Sequence, residues 1–385
     1  MTAPLDDPAA PPGWSFGPSP GLPLRRRRVL RLFATLPLLR GSGQAVLPGA
    51  PVRLTPLGDP AIPTDPFHHG TTLLVAGPVD GAPGRWARLV APALARGLPP
   101  GSAITLASVG GQDGVTAANQ FGARVSPDGR TLLFAPGAAV LAWLAGEARA
   151  KFDVGTWVPV FAAASPGVLV GGFGAAALRA GAVVRLAVDR LPGPDLAGLL
   201  ALALLGGVPR PVDGLGPAAA DAALLRGELD AVLLTGEGVA ARAARLARHG
   251  LWPVVSFGAP DAAGAPGRDP AFPSVPEVAE LAATLHGRAP TGPLFRAWRA
   301  CAAAAQLGFG LELPALTPAG MVALWRQAAS GAVQQPAVAA ALAASGLQPL
   351  TGAAALATAR TLALGMPGLL ALRQWLSTRK DWHIG

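Results

Sequence analysis

Apolar and polar positions over residues 71–137 repeat one unit. A short run of leucine and β-branched residues, at 72–76 and again at 104–109, leads into a glycine-rich loop, and each loop is followed by an alanine-rich stretch with helical spacing. This order is typical of parallel βαβ units. Open α/β sheets bind ligands at the carboxyl ends of their strands, which is where these loops fall. We therefore expect an α/β fold with its site in the loops.

The pattern continues in two sets. A turn at 126–129 precedes a strand at 130–135, and the loop at 135–138 opens a helix that ends near residue 150. A second set places strands at 183–188, 211–212 and 229–234, and helices at 196–205, 218–226 and 238–248. The run at 161–172 is predicted to leave the first lobe and the run at 251–258 to return to it. Two lobes joined by two crossings form a hinge, with the ligand between them.

The carboxyl third is predicted to be helical. One helix spans 316–333 with Thr317 as its N-cap and Pro318 at the first helical position, and another runs from Pro336 to Gly346. The predicted organisation is a disordered extension with an export signal (1–45), a proline-rich lead-in (46–70), a first lobe (71–165 with 255–385) and a second lobe (166–254).

The amino-terminal residues predict export. Residues 1–24 are rich in proline and glycine, then Arg25–Arg28 precede an apolar run at 29–39, and Gly43 and Ala45 are the small residues that a signal peptidase requires. Residues 26–31 also resemble the twin-arginine pattern. The alternative is a disordered basic tail on a cytoplasmic protein. No later apolar run approaches the roughly 20 residues of a membrane-spanning helix, so we expect a periplasmic mature chain without one.

Composition narrows the function. The 385-residue chain is 51% hydrophobic and 14% charged, and its net charge of +9 is spread out, with lysine only at Lys151 and Lys380. No basic stripe interleaved with aromatic residues is present, which argues against nucleic-acid binding. A single cysteine, Cys301, excludes an internal disulfide and CxxC motifs. Five histidines without a carboxylate cluster make a metal site unexpected, and we expect no cofactor.

The three loops of the first lobe supply most of the candidate ligand contacts. Glycines let the backbone approach a ligand, and a helix amino terminus offers unpaired N–H groups, so such loops favour carboxylates or phosphates. None has a Walker or G-x-G-x-x-G pattern, which disfavours nucleotides. The alternative is that they are ordinary turns between strands and helices. The candidates are Val79, Asp80, Gly81, Ala82 and Gly84 in loop one (77–84), Gly110, Gly111, Gln112, Asp113 and Gly114 in loop two (110–114), and Pro136 and Gly137 in loop three (135–138).

Four segments, in order, resemble the periplasmic solute-binding proteins of tripartite tricarboxylate transporters, the TctC or Bug family. SPDGRTLLFAPG (126–137) resembles the family's A-P-D-G-Y-T-L-L, and FDVGTWVPVFAAASPGVLV (152–170) its Y-D-P-x-K-D-F-x-P-V segment. FPSVPEVAEL (272–281) resembles P-D-V-P-T-x-x-E-x-G, and residues 313–349 resemble the closing helices that follow a T-P-A. The ordered series covers about residues 71–352 and is more specific than any single motif.

The resemblance implies two α/β lobes that close as a type II venus flytrap, with no catalysis. It implies a small organic acid, amino acid or amide as ligand, delivered by a monomer to membrane transporter subunits or a sensor kinase. In the second lobe, loop four (190–194) and residues 214–217 of loop five (213–217) occupy the places of the family's ligand-facing loops, without the family's usual residues. The candidates in this lobe are Arg190, Gly193, Gly214 and Gly216, together with Thr235.

The first-lobe loops depart from the family's P-G-G-G-T-D and P-G-A-G-G patterns. Asp80 and Asp113 add negative charge where a carboxylate would bind, so the ligand is an amine, an amide or a zwitterion unless these side chains face solvent or cap helices. Other functions also stay open. An α/β hydrolase or dehydrogenase is possible on such a sheet, although no G-x-S-x-G elbow is present. A degenerate family member acting as a sensor or interaction module is the third alternative.

Overall fold

A computed structural model describes residues 70–111, 113–261, 266–379 and 381–382. The predicted export signal, the proline-rich lead-in up to residue 69 and Gln112 lie outside these residues. The strands in chain order are β1 Thr71–Ala76, β2 Ile104–Val109, β3 Thr131–Ala135, β4 Trp157–Ala164, β5 Val168–Gly171, β6 Val183–Ala187, β7 Val208–Val212, β8 Ala231–Leu234, β9 Trp252–Ser256, β10 Ala259–Pro260, β11 Pro266–Gly267, β12 Leu307–Pro314 and β13 Gln348–Leu350.

The helices alternate with the strands in the first two thirds of the chain and dominate the last third. In chain order they are α1 Ala82–Ala95, α2 Val115–Arg124, α3 Gly137–Ala145, α4 Ala175–Arg179, α5 Asp195–Leu204, α6 Pro217–Leu225, α7 Val239–Ala247, α8 Val278–His286, α9 Pro293–Gln306, α10 Ala319–Val333, α11 Pro336–Ser345, α12 Gly352–Leu362 and α13 Met366–Ser377.

The first sheet has the strand order β13-β4-β12-β3-β1-β2. Strands β1, β2 and β3 are parallel, with Leu73 opposite both Leu106 and Leu132. Strand β12 is antiparallel to β3 and to β4. Because β1, β2 and β3 are parallel, loops one, two and three emerge from the same edge of this sheet, as the hydrophobic pattern predicted.

The second sheet has the order β7-β6-β8-β5-β9. Strand β6 is parallel to β7 and β8, whereas β5 is antiparallel to β8 and β9. The loops that follow β6, β7 and β8 therefore share one edge. These loops contain Arg190, Gly214 and Thr235 respectively, so all the second-lobe candidates lie along that edge.

The chain crosses between the sheets at residues 165–167, after β4, and again after β9. At the first crossing the Ser165 N–H donates to the Gln306 carbonyl oxygen at 2.8 Å, and at the second the Phe257 N–H donates to the Gly167 carbonyl oxygen at 2.8 Å. Hydrogen bonds thus join the two crossings to each other and to the end of α9. This is the two-crossing connection that the sequence predicted, and the α/β fold with two sheets is confirmed.

Buried side chains form the core on both sides of the first sheet. One aromatic group, Phe134, Phe161 and Phe309, lies under α1 and α10, with Trp325 fully buried beside it. The opposite face continues into the second sheet through α9, whose Trp298 and Cys301 belong to the same apolar cluster as Leu169 and Leu186. Helix α9 therefore packs against elements of both sheets.

Three predictions for residues after position 250 were wrong in detail. The carboxyl third is not wholly helical, because β12 forms a central strand; its glycines, Gly308 and Gly310, hid the strand pattern, while Phe309 and Leu311 are buried. Thr317 is not the N-cap of α10, since its hydroxyl donates to the Pro314 carbonyl oxygen and Pro318 precedes the helix. Strand β9 does not return to the first sheet but pairs with β5 in the second. The lobe boundaries stay a prediction.

In the part of the chain that the structure describes, no single helix is long and apolar enough to cross a membrane. Helices α12 and α13 pass that length and hydropathy test only as a pair, and they meet at a bend of 55°.

Candidate functional site

Loop one turns directly into α1. The Gly81 N–H donates to the Pro78 carbonyl oxygen at 3.0 Å. A Cβ atom at Gly84 would lie 2.0 Å from the Val79 carbonyl oxygen, so this glycine permits the loop to fold onto the helix start. The Asp80 side chain is 93% exposed and lies 3.7 Å from Arg88. Asp80, one of the two acidic residues that differ from the family pattern, therefore faces solvent.

Loop two holds Asp113 in a buried and fully partnered position. Its Oδ1 accepts the Val115 N–H at 3.1 Å, and its Oδ2 accepts a hydrogen bond from Arg149 at 2.8 Å. Burial alone raises the pKa of Asp113, but these two hydrogen bonds and the charges of Arg149 and Arg190 outweigh it and hold the pKa below its usual range. Asp113 is thus ionised, and its charge is neutralised within the protein.

Arg149 is brought to Asp113 by the segment that follows α3. Its guanidinium also pairs with Glu147, and its carbonyl oxygen accepts a hydrogen bond from the Asn119 amide at 2.8 Å on α2. These contacts fix the segment against loop two. Sequence reasoning missed Arg149, because nothing in the local pattern links two residues that are 36 positions apart.

The glycines around loop two differ in what surrounds them. Gly110 has φ +83°, and a Cβ there would lie 2.6 Å from the Thr116 Cβ. Gly114 has φ +75° and lies against Pro136 of loop three, with 3.0 Å from its Cβ position to the proline Cδ. By contrast, a Cβ at Gly111 would meet nothing closer than the Asp113 Oδ1 at 4.0 Å. Gly111 therefore faces open space, as a ligand-contacting residue would.

Loop three joins the site through packing. Pro136 is the N-cap residue of α3. A Cβ at Gly137 would lie 1.8 Å from the Ala304 carbonyl oxygen on α9. The close approach of α3 and α9 is thus sufficient to explain Gly137, whose role as a ligand contact stays a prediction.

The second-sheet loops also converge. A Cβ at Gly193 would lie 2.3 Å from the Arg190 carbonyl oxygen, and a Cβ at Gly216 would lie 3.9 Å from the Asp189 Oδ1. Asp195, the first residue of α5, accepts the Asp189 N–H at 3.0 Å. Gly214 has φ +76° with open space around it. Loops four and five therefore lie side by side at the edge of the second sheet.

Asp195 has no cation in hydrogen-bond contact among the described residues. Burial raises its pKa to about 6, and the nearby negative charge of Asp189 adds to this, while the Asp189 N–H and the distant Arg242 act in the opposite direction. This carboxyl group at loop four therefore changes its charge near pH 6.

Contacts between the sheets bring the two sets of loops together. Arg190 of loop four is close enough to Asp113 of loop two to lower its pKa. Glu237, two residues beyond the half-buried Thr235, accepts hydrogen bonds from Arg85 at 3.3 Å and from the Trp86 indole at 3.0 Å on α1. Loop four thus lies near loop two, and the segment after β8 contacts the first turns of α1. Sequence reasoning missed Arg85, Trp86 and Glu237, which carry no motif.

Hydrogen bonds also fix the segment that connects β8 to α7. The Gly236 N–H donates to the Ser165 Oγ at 2.8 Å, and the Gly238 N–H donates to the Ser345 carbonyl oxygen at 2.9 Å. These bonds fix residues 235–238 to the first crossing and to the end of α11.

The described residues contain no cluster of three or more histidine, cysteine, aspartate or glutamate side chains placed to hold a metal ion. Cys301 is fully buried in α9, and burial raises the pKa of its thiol. A buried thiol with a raised pKa is unreactive, in line with the packing role predicted for it.

Comparison with known proteins shows the fold. No family model and no curated protein matches the chain. It is similar to the crystal structure of a TctC solute binding protein from Polaromonas without ligand, with 18% identity, a TM-score of 0.58, and coverage of 78% of this chain and 98% of that one. The two-lobed solute-binding-protein fold that the resemblance implied is therefore confirmed.

Two further solved structures are more distant. MatC from Rhodopseudomonas palustris with bound malate has 21% identity, a TM-score of 0.49 and coverage of 79% of this chain and 98% of that one. The periplasmic binding protein BugD has 16% identity, a TM-score of 0.47 and coverage of 82% and 98%.

Proposed function

We propose that this chain is an exported solute-binding protein of the tripartite tricarboxylate transporter type. It captures a small carboxylate-type metabolite between its two sheets and presents it to a membrane transporter. The fold shared with the Polaromonas protein supports this proposal, as do the loops that approach each other across the gap.

The observation that carries the choice of an anion is the environment of Asp113. Its two oxygens are occupied by the Val115 N–H and Arg149, and its charge is balanced inside the protein. The other acid, Asp80, points to solvent. A carboxylate ligand entering at loop two therefore does not meet an uncompensated negative charge, which was the main reason to consider an amine or an amide.

The groups that face the ligand are then donors. The first N–H groups of an α-helix have no partner within the helix, and helix amino termini therefore attract anions. Helices α1, α2 and α5 begin within or directly after loops one, two and four. Arg190 is exposed at loop four and adds a cation on the opposite side. Its guanidinium is able to bind a carboxylate with two parallel hydrogen bonds.

Binding without turnover follows from this arrangement. The acidic candidate at loop two, Asp113, is held by Arg149 and the Val115 N–H, and among the described residues no candidate forms a hydrogen-bonded pair of nucleophile and base. Closure of the two sheets on the ligand then signals the loaded state to the transporter. Export by the general or twin-arginine route, and action as a monomer, complete the proposal.

Thermal unfolding of the chain from residue 46 tests it. A library of dicarboxylates, monocarboxylates, amides, amino acids and amines is screened, because a ligand that binds only the folded state raises the melting temperature. We expect stabilisation by at least one carboxylate and its loss in Arg190→Gln. Arg210→Gln, an exposed arginine on β7, is the matched control and is expected to keep the response. Stabilisation by amines alone, or by no compound, contradicts the proposal.

A further inference from the structure

A second cavity lies away from all the predicted loops. It has a volume of 210 Å³ and lies between α9, α12, the start of α8 and the segment 257–260 that follows β9. Its apolar wall includes Phe257, Phe295, Trp298, Ala302 and Ala303. Phe295 stacks on Trp298 at 5.4 Å, and Phe257 meets Trp298 edge-on at 5.8 Å. The wall is therefore a preformed aromatic surface.

One buried polar group in this wall lacks a partner. Trp298 is 3% exposed, and its indole Nε1 makes no hydrogen bond within the described chain. Buried donors are almost always paired with protein or with a bound molecule. Trp298 belongs to the cavity lining, so a ligand there is able to accept its N–H.

A basic cavity adjoins the apolar one. Its volume is 270 Å³, and it is lined by Arg296, Arg299 and Arg360, together with Ala363, Leu364, Gly365, Pro367 and Gly368. Arg299 and Thr361 line both cavities. None of the three guanidinium groups forms an ion pair or a hydrogen bond with another described residue. We refer to the two cavities together as the α9 groove.

Unpaired arginines are the feature that identifies the ligand's charge. Several other arginines in the described chain have a carboxylate partner, among them Arg149, Arg185, Arg226, Arg242 and Arg268. The lining of the basic cavity contains no acidic residue, so its three arginines form a positive potential that attracts an anion. Glu277 lines the apolar cavity instead, where burial raises its pKa and the charge of Arg299 opposes that rise, so the anionic end of a ligand is expected at the arginine end of the groove.

We propose that the α9 groove is a second binding site, for a small amphipathic carboxylate. The apolar part of the ligand packs against Phe295 and Trp298, and its carboxylate pairs with Arg299, flanked by Arg296 and Arg360. A cavity of 210 Å³ is below the range of about 300–1,000 Å³ that drug-sized ligands fill, which selects a single aromatic ring or a short aliphatic chain. This site is separate from the gap between the sheets.

The residues that form the groove lie on one helical face. Phe295, Trp298, Arg299, Ala302 and Gln306 recur at intervals of three and four, which places them along one side of α9. Gln306 ends this face and donates its amide to the Gly258 carbonyl oxygen at 2.8 Å, next to the two crossings. A ligand in the groove therefore contacts the helix that packs against both sheets.

Benzoate is the probe, with benzamide as its neutral isostere, and binding to the full-length chain is followed by calorimetry and by the Trp298 indole N–H resonance. That resonance is assigned by its loss in Trp298→Phe. We expect benzoate to bind at least about tenfold more tightly than benzamide, and the Trp298 signal to shift on binding. Equal binding of the two compounds, or no binding, overturns the proposal.

Variants separate this site from the gap between the sheets. Arg299→Gln is expected to weaken benzoate binding by at least about tenfold, whereas Arg210→Gln removes the same charge elsewhere and leaves it unchanged. Ala303→Leu fills the apolar cavity, retains all three arginines and is expected to have the same effect as Arg299→Gln. Gly111→Val is expected to leave benzoate binding intact. Loss of benzoate binding in Gly111→Val with retention in Arg299→Gln overturns the proposal and assigns the benzoate to the other site.

Discussion

The two halves of the candidate site are built differently. Close packing fixes a glycine on each side, since a Cβ would lie 1.8 Å from the Ala304 carbonyl oxygen at Gly137 and 2.3 Å from the Arg190 carbonyl oxygen at Gly193. The acidic side chains differ: Asp113 on the first-sheet side is paired with Arg149, whereas Asp195 on the second-sheet side has no cation in hydrogen-bond contact among the described residues. The charge of the first half is therefore balanced by an ion pair, while the charge of the second half depends on pH.

The largest expected effect tests the packing on the first-sheet side. Gly137→Ala places a Cβ 1.8 Å from the Ala304 carbonyl oxygen, and α3 and α9 must separate to relieve the clash. We expect a loss of about 3 kcal/mol in the free energy of unfolding, measured with urea. Gly111→Ala, whose Cβ has 4.0 Å of clearance, is the control and is expected to unfold within about 0.5 kcal/mol of the parent protein. Similar losses in both variants would show that the two glycines are equivalent.

The next effect tests the paired charge. Arg149→Met removes the hydrogen bond to Asp113 and leaves its carboxylate buried with only the Val115 N–H. Because Arg149 is 57% exposed and solvent screens the pair, we expect a loss of stability at pH 7 that is smaller than the loss in Gly137→Ala. The lowered pKa of Asp113 stabilises the fold above the unfolded-state pKa, and this contribution is lost as the pH falls through the folded-state value.

The control for this charge test is the double variant Arg149→Met with Asp113→Asn. It removes the unpaired charge and is expected to recover part of the stability. No recovery would mean that Arg149 acts through Glu147 and Asn119 instead.

The third effect concerns the second-sheet side. The raised pKa of Asp195 means that the folded state binds its proton more tightly than the unfolded chain, so the stability present below the unfolded-state pKa is lost as the pH rises through about 6. Asp195→Asn keeps an acceptor for the Asp189 N–H and removes the charge. The free energy of unfolding of the variant is expected to increase relative to that of the parent by on the order of 1–2 kcal/mol when the pH is raised from 4 to 7.5. Urea unfolding at both pH values measures this change. A constant difference at both pH values contradicts this account.

The contrast between the halves also explains what the sequence could predict. The β1, β2 and β3 units and their loops follow local rules of period and glycine placement, and they were predicted at nearly the correct residues. Strand β12 was not, since its glycines interrupt the pattern and its place between β3 and β4 is set by tertiary packing. In the site, the sequence identified the loop glycines. It did not identify Arg149, whose partner Asp113 is 36 positions away, or Glu237, whose partner Arg85 is 152 positions away, because no local signal specifies such contacts.

The smallest expected effect concerns the contact between the halves. Glu237 accepts hydrogen bonds from Arg85 and the Trp86 indole, and both charged side chains are about half exposed, so the pair is screened by solvent. Glu237→Gln retains an acceptor for the indole but removes the charge, and we expect at most about 1 kcal/mol of lost stability.

The same change weakens a contact that holds the sheets together without ligand, and it therefore favours the open form. We expect ligand-free Glu237→Gln to show a larger radius of gyration in small-angle scattering, with the difference disappearing at saturating ligand. Asp80→Asn, which removes an exposed charge beside the same helix, is the matched control and should scatter like the parent. An unchanged radius in Glu237→Gln would show that the two halves approach each other independently of this contact.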